Sequence, residues 1–264
     1  MSFESLGDRQ KSYETNHNYL LTGRLPVIIR VDGIGFSTVT SKLPKPSEDF
    51  SYCMANTLAY CIKAMQGAVF GYTQSDEITF IIKNDQSLES QPWLQNRVQK
   101  IVSRSASLAT KGFEVAGDLL EAPLDLVGDP LFDARVFVVP YLGEAVNNLI
   151  WRQQDCRKNA ISMAAQTHLG AKKGRKTALN ILHQKNSQQR LDLLREECQI
   201  EFEEFYPMSF QHGIGIYKIP TPHEETFRNK WTLNFDLPWF ASNQDFLYNI
   251  LTNGSDLFRS QENQ

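Results

Sequence analysis

The sequence AVFGYTQSDEITFII, residues Ala68–Ile82, decides the fold expected for this chain. It contains two apolar runs, Ala68–Tyr72 and Ile78–Ile82, separated by the polar residues 73–77. Two such runs joined by a short polar segment are typical of a β-hairpin. We therefore expect two neighbouring antiparallel strands here, with a polar tip between them.

A strand and a helix are expected before this hairpin. Residues Leu25–Val31 are rich in β-branched side chains and are followed by Asp32 and Gly33, a pattern typical of a buried strand that ends in a turn. Ser47 precedes two acidic residues and a series of apolar side chains at helical spacing, which predicts a helix capped by Ser47. The apolar side chains expected on the core face of this helix are Phe50, Met54, Leu58, Cys61, Ile62 and Met65.

A second helix and another strand are expected after the hairpin, over Trp93–Lys111 and Arg135–Val139. The order strand, helix, hairpin, helix, strand is that of a ferredoxin-like sheet. The expected fold class is therefore α+β: an antiparallel sheet of the ferredoxin-like or polymerase-palm type, with helices on one face and further helical additions.

The second half of the chain is expected to pack on this sheet. Residues 1–150 form the palm-like core, and residues 151–264 add a basic helical segment, a late strand near Gly213–Tyr217 and an acidic tail. The apolar pairs Trp239-Phe240 and Phe246-Leu247 indicate that the tail packs on something. The two segments are thus expected to form one continuous domain.

Composition places the chain among ordinary globular proteins. It has 264 residues, of which 41% are hydrophobic and 22% charged, and this composition excludes a disordered chain. No apolar run approaches the roughly 18 residues of a membrane span, and the N-terminus shows no secretory signal, so we expect no membrane association. The four cysteines lack paired spacing, which favours reduced thiols and a cytoplasmic location.

Charge is distributed unevenly along the chain. The total of 27 basic and 30 acidic residues gives a net charge of −3. Residues 1–150 carry a net of −4, residues 151–190 a net of +8 (nine basic, one acidic), and residues 191–264 a net of −7. The basic segment, residues 151–190, suggests a polyanionic partner, although a solvated helix face would produce the same pattern.

Acidic side chains lie at the ends of neighbouring expected strands. Asp32 follows the first strand, and Asp76 and Glu77 lie at the hairpin tip. In a ferredoxin-like sheet these strands are adjacent, so their carboxylates repel one another unless a cation neutralises them. Mg²⁺ typically binds one or two carboxylates together with substrate phosphates. Two such ions would activate an attacking hydroxyl and stabilise a leaving pyrophosphate, and Gly33 would let the backbone approach a bound ligand.

The alternative interpretation is that Asp32 and Asp76 are only turn residues, since aspartate is common in turns. Two acid-bearing strand ends in a palm-like order favour the metal site.

Four blocks of sequence together resemble the tRNA(His) guanylyltransferase superfamily. In chain order they are Arg30–Phe36 (RVDGIGF), Lys45-Pro46, Gly71–Glu77 (GYTQSDE) and Trp151–Cys156 (WRQQDC). They occur in the family's order and at similar spacing, and the hairpin block together with the W-R-Q-x-D block is distinctive. The resemblance runs from about residue 24 to residue 217 and is loose beyond that.

The resemblance implies a metal-dependent nucleotidyltransferase that adds GTP and other nucleoside triphosphates to the 5′ end of tRNA in the 3′-to-5′ direction. Two Mg²⁺ ions as cofactors and GTP or ATP as substrates are implied. The RNA 5′ end would be activated by adenylylation or enter as a triphosphate. Because relatives form dimers or tetramers, a homo-oligomer is expected as well.

The resemblance also implies roles for individual residues. Asp32, Asp76 and Glu77 are candidate catalytic acids, with Asp32, Asp76 and the Gly33 carbonyl as metal ligands. The candidate nucleotide-binding positions are Asp32, Gly33, Ile34, Gly35, Phe36, Ser37, Lys45, Ser75, Asp76 and Asn159. The candidate positions for RNA or 5′-phosphate, assigned by the resemblance or by the basic segment, are Arg97, Lys100, Arg135, Arg152, Arg157, Lys172, Lys173, Arg175 and Lys176.

Two positions depart from the family pattern. Ile34 stands where the family usually has a basic residue. Arg157-Lys158-Asn159-Ala160 stands where the eukaryotic enzymes carry His-Ile-Asn-Asn, so only Asn159 matches. The second departure resembles the guanylyltransferase-like branch, whose members perform template-dependent 5′-end repair of tRNA. It favours repair over the addition of a single G to tRNA(His).

Other functions stay open at this point. A nucleotide cyclase or another palm-type nucleotidyltransferase would use the same acids, and a non-catalytic RNA-binding module would use them only structurally. Lys45 could be an ordinary solvated residue, and so could the basic stripe Arg97, Lys100, Arg104 and Lys111. The W-R-Q-x-D block and the basic segment favour an RNA substrate over a small molecule.

Overall fold

The computed structural model describes residues 5–223 and 226–253. Its strands are β1 (Val27–Gly33), β2 (Ala68–Gln74), β3 (Glu77–Ile82), β4 (Phe132–Val138), β5 (Ile214–His223) and β6 (Thr226–Asn234). They form one antiparallel sheet in the order β4-β1-β3-β2-β5-β6. The first four strands have the order of a ferredoxin-like fold, so the expected fold class is confirmed.

Ten helices surround the sheet in the described part of the chain. They are α1 (Leu6–Asn16), α2 (Phe36–Val39), α3 (Glu48–Lys63), α4 (Val98–Gly117), α5 (Leu142–Lys173), α6 (Arg175–Leu182), α7 (Ser187–Cys198), α8 (Phe202–Phe205), α9 (Met208–His212) and α10 (Gln244–Asn253). Short 3₁₀ turns occur at Trp93–Asn96 and Phe240–Ser242. In residues 5–223 and 226–253, no helix combines the length and the apolar character that crossing a bilayer requires.

The alternation of side chains along β1 builds a core on each face of the sheet. Val27, Ile29 and Val31 pack with α3 and α4 in one cluster, whereas Ile28 packs with residues of α5 and α10 in another. Because successive side chains of a strand point to opposite faces, the consecutive apolar residues Val27, Ile28 and Ile29 require cover on both faces of the sheet. The helical additions supply the second cover.

The helix expected after Ser47 is confirmed, since the Ser47 side chain accepts a hydrogen bond from the Phe50 N–H at 3.2 Å and caps α3. The bounds expected for the second helix, Trp93–Lys111, are wrong: α4 spans Val98–Gly117. Three residues before it have positive φ, with Leu94 at 50°, Gln95 at 57° and Asn96 at 58°. A left-handed backbone cannot continue a right-handed helix, so the helix begins only after Arg97.

The second half of the chain continues the sheet and covers one face of it. Helix α5 runs without a break across residue 150, and β5 pairs with β2 from Phe70↔Tyr217 to Thr73↔Ile214. Phe240 and Leu247 are fully buried in the cluster with α5, so this part of the chain lies against the same face of the sheet. The end of the acidic tail, residues 254–264, lies outside the described residues.

Candidate active site

The sheet brings Asp32 and Asp76 to the same end of β1 and the β2–β3 hairpin. Asp32 is aligned with Glu77 in the β1–β3 register, and the Gly33 N–H donates to the Asp76 carbonyl oxygen at 3.1 Å. At the tip, Ser75 has a φ of 49° and its hydroxyl donates to Asp76 Oδ1 at 2.9 Å. The juxtaposition of carboxylates expected from the strand order is therefore present.

The electrostatics of Asp32 are those of a crowded acidic position. Burial and the nearby charges of Asp76 and Asp133 raise the pKa of the Asp32 carboxyl, and Arg135 and Arg30 oppose this change. The Arg135 guanidinium lies 3.9 Å from Asp32 Oδ2 and 3.8 Å from Asp133 Oδ1. A cation bound between Asp32 and Asp76 would remove the repulsion that raises this pKa.

The loop after Asp32 turns sharply and buries an aromatic ring. Gly35 has a φ of 65°, and Phe36 begins the short helix α2. The Phe36 ring lies 4.9 Å from the ring of Phe132 and 6.1 Å from that of Phe50, measured between centroids. Ile34 is 51% exposed, so the unusual apolar residue of the family motif faces solvent.

A cavity of about 320 Å³ opens beside these carboxylates. It lies between the loop that precedes α3, the start of α3, the hairpin tip, α5 and α9. Six of the expected nucleotide-binding residues line it: Phe36, Ser37, Lys45, Ser75, Asp76 and Asn159. The remaining four, Asp32 to Gly35, lie on β1 and in the loop that leads to Phe36.

The family of this chain follows from its similarity to known proteins. A family model described as Thg1, tRNAHis guanylyltransferase, matches residues 7–140, which are 134 of the 264 residues. The uncharacterized protein R259 of Acanthamoeba polyphaga mimivirus is 30% identical over 236 residues, covering 81% of this chain and 77% of that protein. This chain belongs to the tRNA(His) guanylyltransferase family.

Further relatives agree with this membership. The tRNA(His) guanylyltransferase 2 of Arabidopsis thaliana is 24% identical over 207 residues, which are 77% of this chain and 37% of that protein. This chain thus spans well under half the length of that relative. Family members are tRNA guanylyltransferases, so the expected enzyme class, nucleotidyltransferase, is confirmed at the level of the family.

Solved structures show the same fold. A bacterial tRNA(His) guanylyltransferase (Thg1)-like protein in complex with ATP is similar with a TM-score of 0.80 and 32% identity, covering 94% of this chain and 99% of that chain. The tRNA(His) guanylyltransferase of Saccharomyces cerevisiae has a TM-score of 0.70 at 21% identity, covering 90% and 99%, and it supports the fold alone.

Several residues of the cavity wall were not predicted from the family motifs. Phe50 and Met54 of α3, Met163 of α5, Phe210 of α9 and Ile214 of β5 give the cavity an apolar side. The helical spacing of Phe50 and Met54 indicated only core positions. No local signal in the sequence joins them to Phe210, because the wall forms only when segments far apart in the chain pack together.

Two of the arginines expected to bind RNA are paired with acidic side chains of the protein, Arg152 in the interior and Arg157 nearer the surface. Arg152 is 5% exposed, and its Nε lies 2.6 Å from Glu77 Oε1 while its Nη2 lies 2.8 Å from Asp155 Oδ2. The Arg157 guanidinium donates to Glu203 at 2.5 Å and to Gln211 at 3.1 Å. Arg157 therefore ties α5 to α8 and to α9, and α9 carries part of the cavity wall.

Glu77 does not share the surroundings of the other two acids. It is 7% exposed, and burial raises the pKa of its carboxyl against the opposing effect of the Arg152 guanidinium. Its Oε2 also lies 4.0 Å from Arg30 Nε. The carboxylate is thus held by arginines, which separates it from the metal ligands expected at Asp32 and Asp76.

The other expected RNA-binding residues differ in whether an acidic residue pairs with them. Arg175 and Lys176 at the start of α6 are exposed, and within residues 5–223 and 226–253 neither has a carboxylate at ion-pair distance. Lys173 pairs with Glu197 at 2.8 Å, and Lys172 donates to the Glu197 carbonyl oxygen. Part of the basic segment is thus neutralised by acids of the segment that follows it.

On the sheet side, Arg97 precedes α4 and Lys100 is exposed in its first turn. Arg135 lies on the edge strand β4 with half of its side chain exposed. Arg135 is therefore the expected phosphate-binding residue that lies directly beside Asp32.

Proposed function

We propose that this chain is a Mg²⁺-dependent nucleotidyltransferase that adds nucleotides to the 5′ end of tRNA in the 3′-to-5′ direction, and that its reaction is templated repair of the 5′ end. The observation that carries the proposal is the placement of Asp32 beside Asp76, which lines a cavity of about 320 Å³ together with Lys45 and Asn159. This arrangement combines acids suited to a metal with space for a nucleotide.

The cavity supports a nucleoside triphosphate as the substrate. Its volume lies at the lower end of the roughly 300–1,000 Å³ of small-molecule sites. The apolar side, with Phe50, Met54 and Phe210, suits a nucleobase, whereas Lys45 and Ser75 suit phosphates. The ATP and GTP complexes of the similar bacterial proteins support GTP and ATP as substrates of this chain.

The donor set fits Mg²⁺. Two carboxylates and the Gly33 carbonyl are hard oxygen ligands, and Mg²⁺ sites of this kind take further oxygens from substrate phosphates and water. In the described part of the chain, no three His, Cys, Asp or Glu residues are grouped to hold a metal by themselves. A site with two acids that is completed by the substrate suits Mg²⁺. Burial raises the pKa of Asp32 and the charge of Asp76 raises it further, and a bound cation would relieve the repulsion between these two carboxylates.

Asp32, Asp76 and the Gly33 carbonyl would therefore hold Mg²⁺, which when bound activates the attacking 3′-hydroxyl and stabilises the leaving pyrophosphate. Lys45 would neutralise the triphosphate, and Asn159 would hydrogen-bond the nucleotide from α5. Arg135, beside Asp32, would bind the phosphates of the RNA 5′ end. The protein thus contributes mainly position and charge, which is the usual requirement of phosphoryl-type transfer.

The exposed basic residues support tRNA as the acceptor. Lys100, Arg175 and Lys176 would bind its phosphates without reading its sequence, as suits an enzyme that acts on many tRNAs. The family resemblance further supports assembly of the chain as a dimer or a tetramer, which the mass of the purified protein in light scattering would test.

A second candidate is the addition of a single G to tRNA(His). The family description and the named Arabidopsis relative favour it. The contacts of Arg157 favour repair, because this residue occupies the position of the motif histidine and its guanidinium is engaged by Glu203 and Gln211 of the same chain. It is therefore less available to select one tRNA.

The test is a 5′-truncated tRNA incubated with the full chain, Mg²⁺ and the four nucleoside triphosphates. Templated repair predicts that the added nucleotides complement the opposite strand, and that changing this strand changes the product. Addition of G regardless of the opposite nucleotide would assign the second candidate. RNA binding without any addition would leave a non-catalytic binding module.

Asp76→Ala is the matched inactive variant. Asp76 lies at a hairpin tip, and Ser75 is the hydrogen-bond partner of its carboxylate among the described side chains. Its removal should therefore abolish transfer and leave the unfolding equilibrium constant and the RNA affinity within about twofold of the unmodified chain. Undiminished transfer by Asp76→Ala would overturn the metal assignment.

A further inference from the structure

We propose that Glu77 and Arg152 are positioning residues that hold the hairpin tip and the α5 wall of the cavity in fixed relation, and that neither touches substrate. The inference rests on the proposed function, since it concerns how the nucleotide site is kept in shape. It differs from the roles expected from the sequence, a catalytic acid at Glu77 and an RNA contact at Arg152.

The hairpin end of this connection lies one residue from a candidate metal ligand. Glu77 follows Asp76 directly, and its backbone carbonyl accepts the Thr73 hydroxyl at 2.8 Å across the turn. The Glu77 side chain leaves the tip and meets Arg152 Nε at 2.6 Å in the protein interior. The position of Asp76 therefore depends on a carboxylate anchored to α5.

The α5 end of the connection reaches the cavity. Arg152, Asp155 and Asn159 are spaced at i, i+3 and i+7 and so lie on one side of the helix. Arg152 Nη2 donates to Asp155 Oδ2 at 2.8 Å, and Asn159 Nδ2 donates to the same oxygen at 3.2 Å. Because Asn159 lines the cavity, an unbroken series of polar contacts joins it to the hairpin tip.

The geometry requires an arginine. One guanidinium uses two different nitrogens to reach two carboxylates, whereas the single ammonium of a lysine offers a compact charge without this fork. The Arg152 Cζ atom also lies over the Trp151 ring, 4.4 Å from the ring centroid. Arg152 is thus held by Glu77, Asp155 and Trp151, and this full engagement inside the protein is what favours a positioning role over RNA contact.

Arg152→Lys is the test variant, because it keeps the positive charge but loses the second nitrogen that reaches a separate carboxylate. The first measurement is calorimetric binding of a non-hydrolysable GTP analogue to the full chain with Mg²⁺. The second is binding of the same tRNA at several salt concentrations. We expect Arg152→Lys to weaken analogue binding by about 10–100-fold, the usual effect of losing a residue that orients a metal ligand, with tRNA affinity and its salt dependence unchanged.

Two further variants separate positioning from a general loss of stability. Leu251→Ala removes a buried side chain of α10 outside the cavity, so it should lower the unfolding temperature and leave analogue affinity unchanged. Asp155→Asn weakens the same series of contacts at a partly exposed residue, where the fold tolerates change, and should also weaken analogue binding. It keeps the inference testable even if Arg152→Lys does not fold.

Combining the changes provides a third criterion. If Glu77 and Arg152 act as one unit, Glu77→Gln with Arg152→Lys should weaken analogue binding no more than the larger single effect. Fully multiplicative losses would show independent roles and overturn the inference.

The remaining outcomes are also decisive. Weaker tRNA binding by Arg152→Lys, with a smaller salt dependence and normal analogue binding, would make Arg152 an RNA contact and overturn the inference. Analogue binding equal to the unmodified chain in both Arg152→Lys and Asp155→Asn would do the same. If the unmodified chain binds the analogue but extends no tRNA, the proposed function fails, and the affinity comparison still decides the roles of Glu77 and Arg152.

Discussion

Gly33 lies directly after Asp32, and the ring of Phe36 packs against it. A Cβ atom at Gly33 would lie 2.3 Å from Phe36 Cδ2, with two further ring atoms at 2.5 and 2.8 Å. Carbon atoms in contact are normally about 3.5–4.0 Å apart. In Gly33→Ala the ring must therefore move by more than about 1 Å, in a protein interior that has little free space.

The cost follows from the surroundings of the ring. Phe36 contacts Phe132, Phe113 and Phe50 with ring centroids 4.9, 5.8 and 6.1 Å away. Overpacking of this kind costs about 1–3 kcal/mol, and a weakened aromatic pair adds about 0.5–1.5 kcal/mol. Alanine offsets about 0.4–1 kcal/mol of this loss, because it reduces the conformational entropy of the unfolded chain. The net expectation is a loss of about 2 kcal/mol, or a melting temperature lower by roughly 4–8 °C.

Urea unfolding of the full chain measures this loss, and Gly117→Ala is the matched control. Gly117 lies in α4, and nothing lies within 4 Å of its Cβ position. The control should be stabilised by about 0.5–1 kcal/mol, as expected for alanine in a helix. Because Phe36 also lines the cavity, Gly33→Ala should bind nucleotide more weakly. A Gly33→Ala protein as stable as the unmodified chain would refute the packing argument.

Two further predictions concern charge. Burial and the charge of Asp76 raise the pKa of Asp32, so the ionised carboxylate destabilises the folded state at pH values above that pKa. Asp32→Asn should therefore stabilise the metal-free chain by about 0.2–1 kcal/mol at pH 7, measured by urea unfolding. This gain should fade as the pH falls through the raised pKa, and an equal gain at every pH would contradict the cause given. The double variant Arg175→Gln, Lys176→Gln should make the negative slope of log tRNA affinity against log salt concentration shallower by about 1.4–1.8, the value for two lost phosphate contacts. Lys173 pairs with Glu197, so Lys173→Gln should change the slope less than the loss of one unpaired cation. A change as large as that for an unpaired cation would show that the ion pair does not keep Lys173 from binding tRNA phosphates.

Local patterns in the sequence were sufficient for strands β1 to β4, for the start of β5 and for the pair of acids. Strand β6 was not expected, because its mostly exposed residues lack the apolar pattern of a buried strand. The hairpin, the Ser47 cap and the β1 strand all follow from short-range preferences, and strand order then places Asp32 near Asp76. The start of α4 did not follow, because the left-handed residues before it are held by tertiary contacts: the Asn96 side chain donates to the Leu21 carbonyl oxygen at 3.4 Å and accepts from Asn84 at 3.3 Å.

The basic segment shows the same division. Its net charge of +8 is a property of composition, but the direction of each side chain is not. Arg152 points inward to Glu77 and Arg157 pairs with Glu203 nearer the surface, whereas Arg175 and Lys176 face solvent. Counting charges cannot distinguish these cases, since a buried arginine and an exposed one contribute equally to the sum.

Sequence patterns alone establish the α+β class, the strand order around the Ala68–Ile82 hairpin, the acids at its tip and the family. These depend on periodicity, turn chemistry and motifs, which are local along the chain. The cavity wall, the burial of Arg152 against Glu77 and the separation of Glu77 from Asp32 and Asp76 follow from the folded structure. Each of those depends on which distant segments pack together and on how burial pairs their charges, and neither is encoded in the spacing of neighbouring residues.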